Sequence, residues 1–336
     1  MIDAFVKENK LPGFRIKQFN LAYYQDYIVS FDELTTWPKE LREKLKKTVP
    51  FSTITGIKEI ESKDHGTAKV LFKRNSDGKL FESVLMRHQD GRNTVCVSCM
   101  IGCPVGCKFC ATGKMKFVGN LTAKEIVDQV LYFARILKPQ KQTITNIVFM
   151  GMGEPLLNLE EVMRAIKILN SKEFMGFGIR RITISTSGIT PKIFELMKLG
   201  YKGRLALSLH APEQKLREML MPIAKRYQLP ELIRAVKAFA TRTQLRVSYE
   251  YILIDGVNDL PKHAQMLADL IGEKNNELIH VNLIPYNPVV SASFKRSALK
   301  SVYAFAQILN NNKIPNTIRV TMGDDIKAAC GQLATS

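Results

Sequence analysis

The chain has 336 residues, 46% hydrophobic and 24% charged, with a net charge of +18. That is enough for one large domain, or a large and a small one, with a sizeable core, and it excludes a disordered or low-complexity chain. No apolar run approaches the ~20 residues that cross a bilayer, and the first residues, Met-Ile-Asp-Ala-Phe-Val-Lys-Glu, lack a signal-peptide pattern, so a cytoplasmic protein without a membrane partner is expected.

Residues 1–50 read as short helices, with leucines at 34, 41 and 45 between charges and Pro38 suited to a first helical turn. Residues 67–86 read as a hairpin around the turn Asn75-Ser-Asp-Gly78. A polar run ending near Gly91 suggests a small N-terminal accessory domain over 1–91 and a larger catalytic domain over 92–336. Residues 1–91 hold 16 Lys/Arg against 13 Asp/Glu, so most of the positive excess falls on the larger part. A charge so placed favours a nucleic-acid partner over a merely basic chain.

From residue 92 the pattern alternates. Strand-like runs at 94–98, 146–150, 181–186, 204–209, 245–253, 279–284 and 317–322 are separated mostly by helical stretches such as 122–137, with Thr122 as cap and Glu125 three residues on, and 159–169. Repeated strand-then-helix units predict an α/β fold, a parallel sheet with right-handed crossovers, either partly closed into a barrel or open and doubly wound. Periodicity does not choose between them. Most strands run into polar loops: Gly151-Met-Gly-Glu-Pro-Leu-Leu-Asn158, Ser185-Thr-Ser-Gly188, His210-Ala-Pro, Asp255-Gly-Val-Asn-Asp259 and Pro285-Tyr-Asn-Pro288. The C-terminal ends of parallel strands are where active sites of such folds gather.

Five of the six cysteines lie between residues 96 and 110: Cys96, Cys99, Cys103, Cys107 and Cys110. Thiolates select zinc, copper(I) or iron–sulfur clusters. Zinc could use the pairs Cys96/Cys99 and Cys107/Cys110, but only seven residues separate them, against about 15–20 in a zinc ribbon. A disulfide framework is disfavoured in a reducing compartment. The spacing Cys103-x3-Cys107-x2-Cys110 resembles the signature of the radical S-adenosylmethionine (SAM) enzymes. There, three cysteines hold a 4Fe-4S cluster whose fourth iron chelates SAM, and the reduced cluster cleaves SAM to a 5′-deoxyadenosyl radical.

Together with the strand-end loops and the C-terminal Ala328-Ala-Cys-Gly-Gln-Leu333, this motif resembles the RlmN/Cfr family of rRNA adenine methyltransferases over roughly residues 12 to 333. The resemblance implies a partial (β/α)6 barrel, with Gly153, Glu154, Ser185, Ser208, Leu209, His210 and Asn287 holding SAM. It implies that Cys330 becomes an S-methylcysteine, that Cys96 is the resolving thiol, and that Glu82 matches a candidate proton acceptor. Cys99 stands where the family usually shows serine and is expected to be a small buried residue.

Carbons 2 and 8 of adenine are not nucleophiles, so simple displacement on SAM does not methylate them. A cysteine remote from the cluster can take a methyl from one SAM, and a second SAM can then generate a radical on that methyl; two SAM molecules are used per turnover. Pro155, Leu156, Leu157 and Ser187 resemble the subgroup acting on carbon 2 rather than the Cfr-like carbon-8 subgroup. The implied partners of the expected monomer are 23S rRNA, some tRNAs at the adenosine beside the anticodon, and an electron donor such as flavodoxin. The alternative of a different class is a zinc-stapled basic RNA-binding protein without catalysis.

Overall fold

A computed structural model describes residues 2–272, 278–289 and 292–334. The N-terminal part begins with helices α1 (Ile2–Glu8), α2 (Phe14–Asn20) and α3 (Lys39–Thr48), followed by strands β1 (Ile54–Glu61), β2 (Thr67–Arg74) and β3 (Leu80–Arg87). The later part contains β4 (Asn93–Cys96), β5 (Met100–Ile101), α4 (Ala111–Lys114), β6 (Gly119–Asn120), α5 (Ala123–Leu137), β7 (Asn146–Phe149), α6 (Leu159–Asn170), β8 (Ile182–Thr186), α7 (Thr190–Lys198) and β9 (Arg204–Ser208). It ends with α8 (Gln214–Leu220), α9 (Leu229–Thr243), β10 (Val247–Leu253), α10 (Pro261–Ile271), β11 (Ile279–Pro285), α11 (Leu299–Asn311) and β12 (Asn316–Ile318).

One ten-stranded sheet runs β1-β2-β3-β4-β7-β8-β9-β10-β11-β12. The first three strands form an antiparallel meander, β3 pairs antiparallel with β4 across residue 91, and every later pairing is parallel. A helix separates each strand of the parallel run from the next, which gives the partial (β/α)6 barrel that the resemblance implies. Met150, Ser185, Ser208, Ile252 and Ile284, from five neighbouring strands or the residues just after them, line one cavity, so the sheet wraps around it. β1 and β12 are its unpaired edges.

Each element has a local cause. Helix α5 starts at a capping box in which Thr122 accepts from the Glu125 amide and Glu125 returns a bond to the Thr122 amide. Its buried Asp128 then accepts from Tyr23 Oη (3.0 Å) and from both the amide and the hydroxyl of Thr53 (2.7 Å each), which ties the N-terminal segment onto the barrel's outer layer. The expected hairpin at 67–86 is β2–β3.

Two findings differ from expectation. The edge strand β1 has no counterpart in the sequence periodicity: most of its side chains are exposed, and it is held by pairing with β2 and by Gly56, where a Cβ would lie 2.8 Å from the Tyr132 ring. The last strand stops at Ile318 rather than 322. After Arg319 donates to the Leu283 carbonyl the chain leaves the sheet, with Val320 84% exposed.

That departure carries the C-terminal segment back to the meander. Lys63 N donates to Asp325 (3.0 Å), Lys69 Nζ donates to the Lys327 carbonyl (3.2 Å), and Ala334 N donates to Glu82 Oε2 (2.9 Å). A Cβ on Gly323 would come within 2.7 Å of Thr67, so the two segments are in close contact there.

Candidate active site

The cysteine loop leaves β4 and folds back on itself. Ser98 anchors its start: its Oγ donates to the Glu82 carbonyl and accepts from Met152 N at 2.8 Å, and its backbone exchanges bonds with the Gln129 side chain. Gly102 sits at φ +73°, where an added Cβ would lie 2.2 Å from the Lys116 carbonyl, so only glycine lets the loop's return strand approach. Cys103, Cys107 and Cys110 are half-buried on one cavity wall. Burial is the main cause pushing all three thiols up, Cys103 to about 12, and for Cys103 and Cys107 the negative charge of neighbouring thiolates adds to it.

Facing them are the strand ends. Gly153 adopts φ +108°, and Glu154 beside it is buried. Burial raises the Glu154 carboxyl's pKa, opposed by amide donors from Ser187 (2.6 Å) and Leu156 (3.0 Å). Ser185, Ser208 and His210 line the same cavity. His210 has a left-handed backbone (φ +59°), and its Nδ1 accepts from Ile252 N at 3.1 Å, which leaves the Nε2–H as the ring's donor. Burial holds this imidazole down to about 3, so it stays neutral. Its ring meets Phe109 edge-on at 4.8 Å, joining the cysteine loop to the end of β9. Leu209 is buried next to it and does not line the cavity.

Cys330 lines the same cavity, together with its sequence neighbours Gly331 and Leu333. The Asn287 side chain donates to its carbonyl (3.2 Å), Ala111 N donates to the Gly331 carbonyl (2.7 Å), and Thr112 Oγ1 donates to the Leu333 carbonyl (2.6 Å). Cys96 is buried at the end of β4. Burial, then the nearby Cys330, push its thiol up to about 12. Glu82 does not reach the cavity wall. It forms a buried ion pair with Lys69 at 3.1 Å and holds Ala334 N, next to the cavity-lining Leu333.

A radical SAM superfamily model matches residues 97–271. A probable dual-specificity RNA methyltransferase RlmN from Symbiobacterium thermophilum is 45% identical over 96% of this chain and 85% of its own length. One so named from Clostridium botulinum is 42% identical over 100% and 94%. The crystal structure of a radical SAM methyltransferase from Sphaerobacter thermophilus superposes with a TM-score of 0.95 at 44% identity, covering 100% of this chain and 97% of that one.

The chain belongs to the RlmN family.

Membership in a radical SAM family implies a 4Fe-4S cluster and SAM, and the residues present fit them. Three half-buried thiols share a cavity wall, and soft sulfur donors suit iron. Among the described residues no three Cys, His, Asp or Glu side chains surround a single-ion position; thiolates on different irons of a cubane do not have to converge in that way. Two buried polar atoms beside the site, Ser187 Oγ and Arg217 Nη1, have no partner.

In this RlmN-family chain the sequence pattern gives no sign of two buried charged residues. Arg217, on α8, donates to the carbonyls of Leu209, Ser187 and Ser208. Burial lowers its pKa to about 10, with Cys107 and then Glu154 opposing the shift. Glu250, on the inner face of β10, lines the cavity and accepts from Ser248 Oγ and Asn282 Nδ2, each at 2.7 Å. No local motif marks either residue. No helix among the described residues is long and apolar enough to cross a membrane.

Proposed function

We propose that this chain methylates carbon 2 of an adenosine in 23S rRNA, and of the adenosine beside the anticodon in some tRNAs, with the methyl group carried on Cys330. The observation that carries this reading is Cys330 lining the same cavity as Cys103, Cys107 and Cys110 from the far end of the chain. The names of the relatives, dual-specificity RNA methyltransferases, support RNA as the substrate, as does the charge of +18. The resemblance of Pro155, Leu156, Leu157 and Ser187 to the carbon-2 subgroup favours carbon 2 over carbon 8.

Cys103, Cys107 and Cys110 would hold the cluster. Gly153, Glu154, Ser185, Ser208 and His210, which line the cavity, would hold SAM, two molecules being used in each turnover, with Leu209 between two of them and Asn287 supporting the Cys330 segment. When bound, the cluster and SAM supply the electron, the methyl group and the hydrogen-abstracting radical. The protein's own work is positional and acid–base. Glu154, kept rigid by two amide donors, offers a carboxylate to an ammonium group, and neutral His210 offers an N–H. The Cys330 sulfur carries the methyl group to the adenine ring. Once the adduct has given up one electron and its ring proton, the Cys96 thiolate attacks the Cys330 sulfur, forming an S–S bond as the S–C bond breaks. The bonding pair passes to the RNA-borne carbon, which takes a proton to complete the methyl group, and an external dithiol reduces the disulfide before the next turnover. Cys96 takes the proton that must leave the ring; Glu82, the other candidate acceptor, has its carboxyl raised by burial but is held off the cavity wall by Lys69 and Ala334 N. RNA and an electron donor such as flavodoxin are the partners this chemistry needs.

Incubating reduced, cluster-loaded protein with SAM and an rRNA fragment, followed by digestion and mass spectrometry, tests the reading. The expected product is 2-methyladenosine; 8-methyladenosine would reassign the carbon, and unmodified RNA would overturn the function.

A further inference from the structure

Arg217 is a fully buried cation without a carboxylate partner among the described residues. It lies on α8, which packs directly on the cysteine loop: Lys108 N donates to the Leu220 carbonyl at 2.9 Å, and Leu220 and Met221 share an apolar cluster with Phe109 against which Cys107 packs. Its Nε donates to the Leu209 carbonyl (3.2 Å), and its Nη2 donates to the carbonyls of Ser187 (2.5 Å) and Ser208 (3.2 Å). These three carbonyls end β9 and follow β8, on the face that carries the site. The remaining nitrogen, Nη1, is buried and donates to nothing. Neutral carbonyls satisfy hydrogen bonds but leave the positive charge without a counter-ion, and a buried charge in that condition is costly. The groups whose negative charge favours its charged form are Cys107 first and Glu154 second.

We propose that Arg217 is the fixed counter-charge of the iron–sulfur cluster: its spare Nη1–H donates to the sulfur of the ligated Cys107, and its charge holds the cluster's reduction potential up. The proposal rests on the reading of Cys103, Cys107 and Cys110 as ligands. A reduced cluster carries one more negative charge than the oxidised one, so a fixed cation at a ligand sulfur stabilises the reduced form. Arg217 acts through Cys107 and touches no substrate atom, which makes it a positioning and tuning residue.

The test is an EPR-monitored redox titration of the reconstituted full-length protein without SAM, comparing wild type with Arg217→Lys and Arg217→Gln. Iron content is expected to be unchanged. At a fixed ambient potential, the reduced-to-oxidised ratio is expected to fall at least about tenfold in Arg217→Gln, or about 59 mV in midpoint for a one-electron couple. Arg217→Lys, which keeps the charge but loses the fork, should fall less. A fully loaded Arg217→Gln with the wild-type midpoint overturns the proposal, and so does an unchanged midpoint with weakened SAM binding, which would assign the guanidinium to SAM. Because Arg217 also supports two strand ends, a measurement on the unaltered protein stands beside these. Wild type labelled with 15N-arginine should show a nitrogen coupling in pulsed EPR of the reduced cluster, and absence of that coupling overturns the contact. A wild type that binds no iron would instead remove the ligand assignment itself.

Discussion

The Asn287 side chain is spent on the C-terminal segment: its Nδ2 donates to the Cys330 carbonyl at 3.2 Å, and its Oδ1 accepts from Arg296 Nη2 at 2.8 Å. Arg296 also donates to the Tyr286 carbonyl and to Asp324, while Gln332 donates to the Pro288 carbonyl and to Asp324. The loop after β11 and the segment around Cys330 are therefore one hydrogen-bonded unit. Asn287→Leu should slow methyl transfer to Cys330 by about 10- to 100-fold, the scale on which removing a hydrogen bond from a buried site acts, with iron content retained. Mass spectrometry of the Cys330 peptide at saturating SAM measures it. A wild-type rate under those conditions would place Asn287 on SAM rather than on Cys330.

The buried Lys69–Glu82 pair connects the N-terminal meander to the same segment. Removing one partner of such a pair costs roughly 3–5 kcal/mol, so Lys69→Met should be strongly destabilised at neutral pH. Burial already raises the Glu82 carboxyl, and Lys69 is the leading cause opposing that rise. Without Lys69 the native state binds the Glu82 proton more tightly than the unfolded chain does. The variant's stability relative to wild type should therefore fall as pH rises through the raised Glu82 pKa and recover as pH drops below it. Urea unfolding at several pH values measures this; a pH-independent difference would contradict it.

Gly153 should not tolerate a side chain. At φ +108°, a Cβ would lie 2.6 Å from Met100 Cβ and 3.0 Å from Cys99 Sγ. Gly153→Ala is expected to cost on the order of 1–3 kcal/mol and to weaken SAM binding. Equilibrium dialysis with labelled SAM, together with a denaturant titration, reads both effects.

The parallel strands are legible in the sequence because both their faces are covered, which leaves runs such as Leu205-Ala-Leu207 and Tyr249–Leu253 with little exposed surface. The cysteine motif is legible because its function depends on local spacing. The edge strand β1 is not, since its face is solvated and its place is set by packing against Tyr132. Val320 continues an apolar pattern past the real end of β12, although it points into solvent. Arg217 cannot be read from sequence because its partners are carbonyls of two other strand ends, brought together only by the fold.

Cys99 is buried with its sulfur 3.7 Å from the Met152 carbonyl, in a space that accepts a serine hydroxyl. Cys99→Ser should keep full iron content and near wild-type activity, whereas Cys103→Ser should lose the cluster. Iron analysis and the visible spectrum of anaerobically purified protein decide between them, and the reverse pattern would shift the ligand register.

In the proposed mechanism Cys330 carries the methyl group and Cys96 releases the product. Denaturing gel electrophoresis of Cys96→Ala, after incubation under reducing power with SAM and an rRNA fragment, separates these two roles from simple loss of activity. The expected result is a nuclease-sensitive, slower-migrating protein–RNA adduct that disappears when Cys330→Ala is added to the same chain, while Cys330→Ala alone keeps its iron and forms no methylated RNA. Intact methylation by Cys330→Ala, with no adduct in Cys96→Ala, would rule out both roles and leave Cys330 a structural residue.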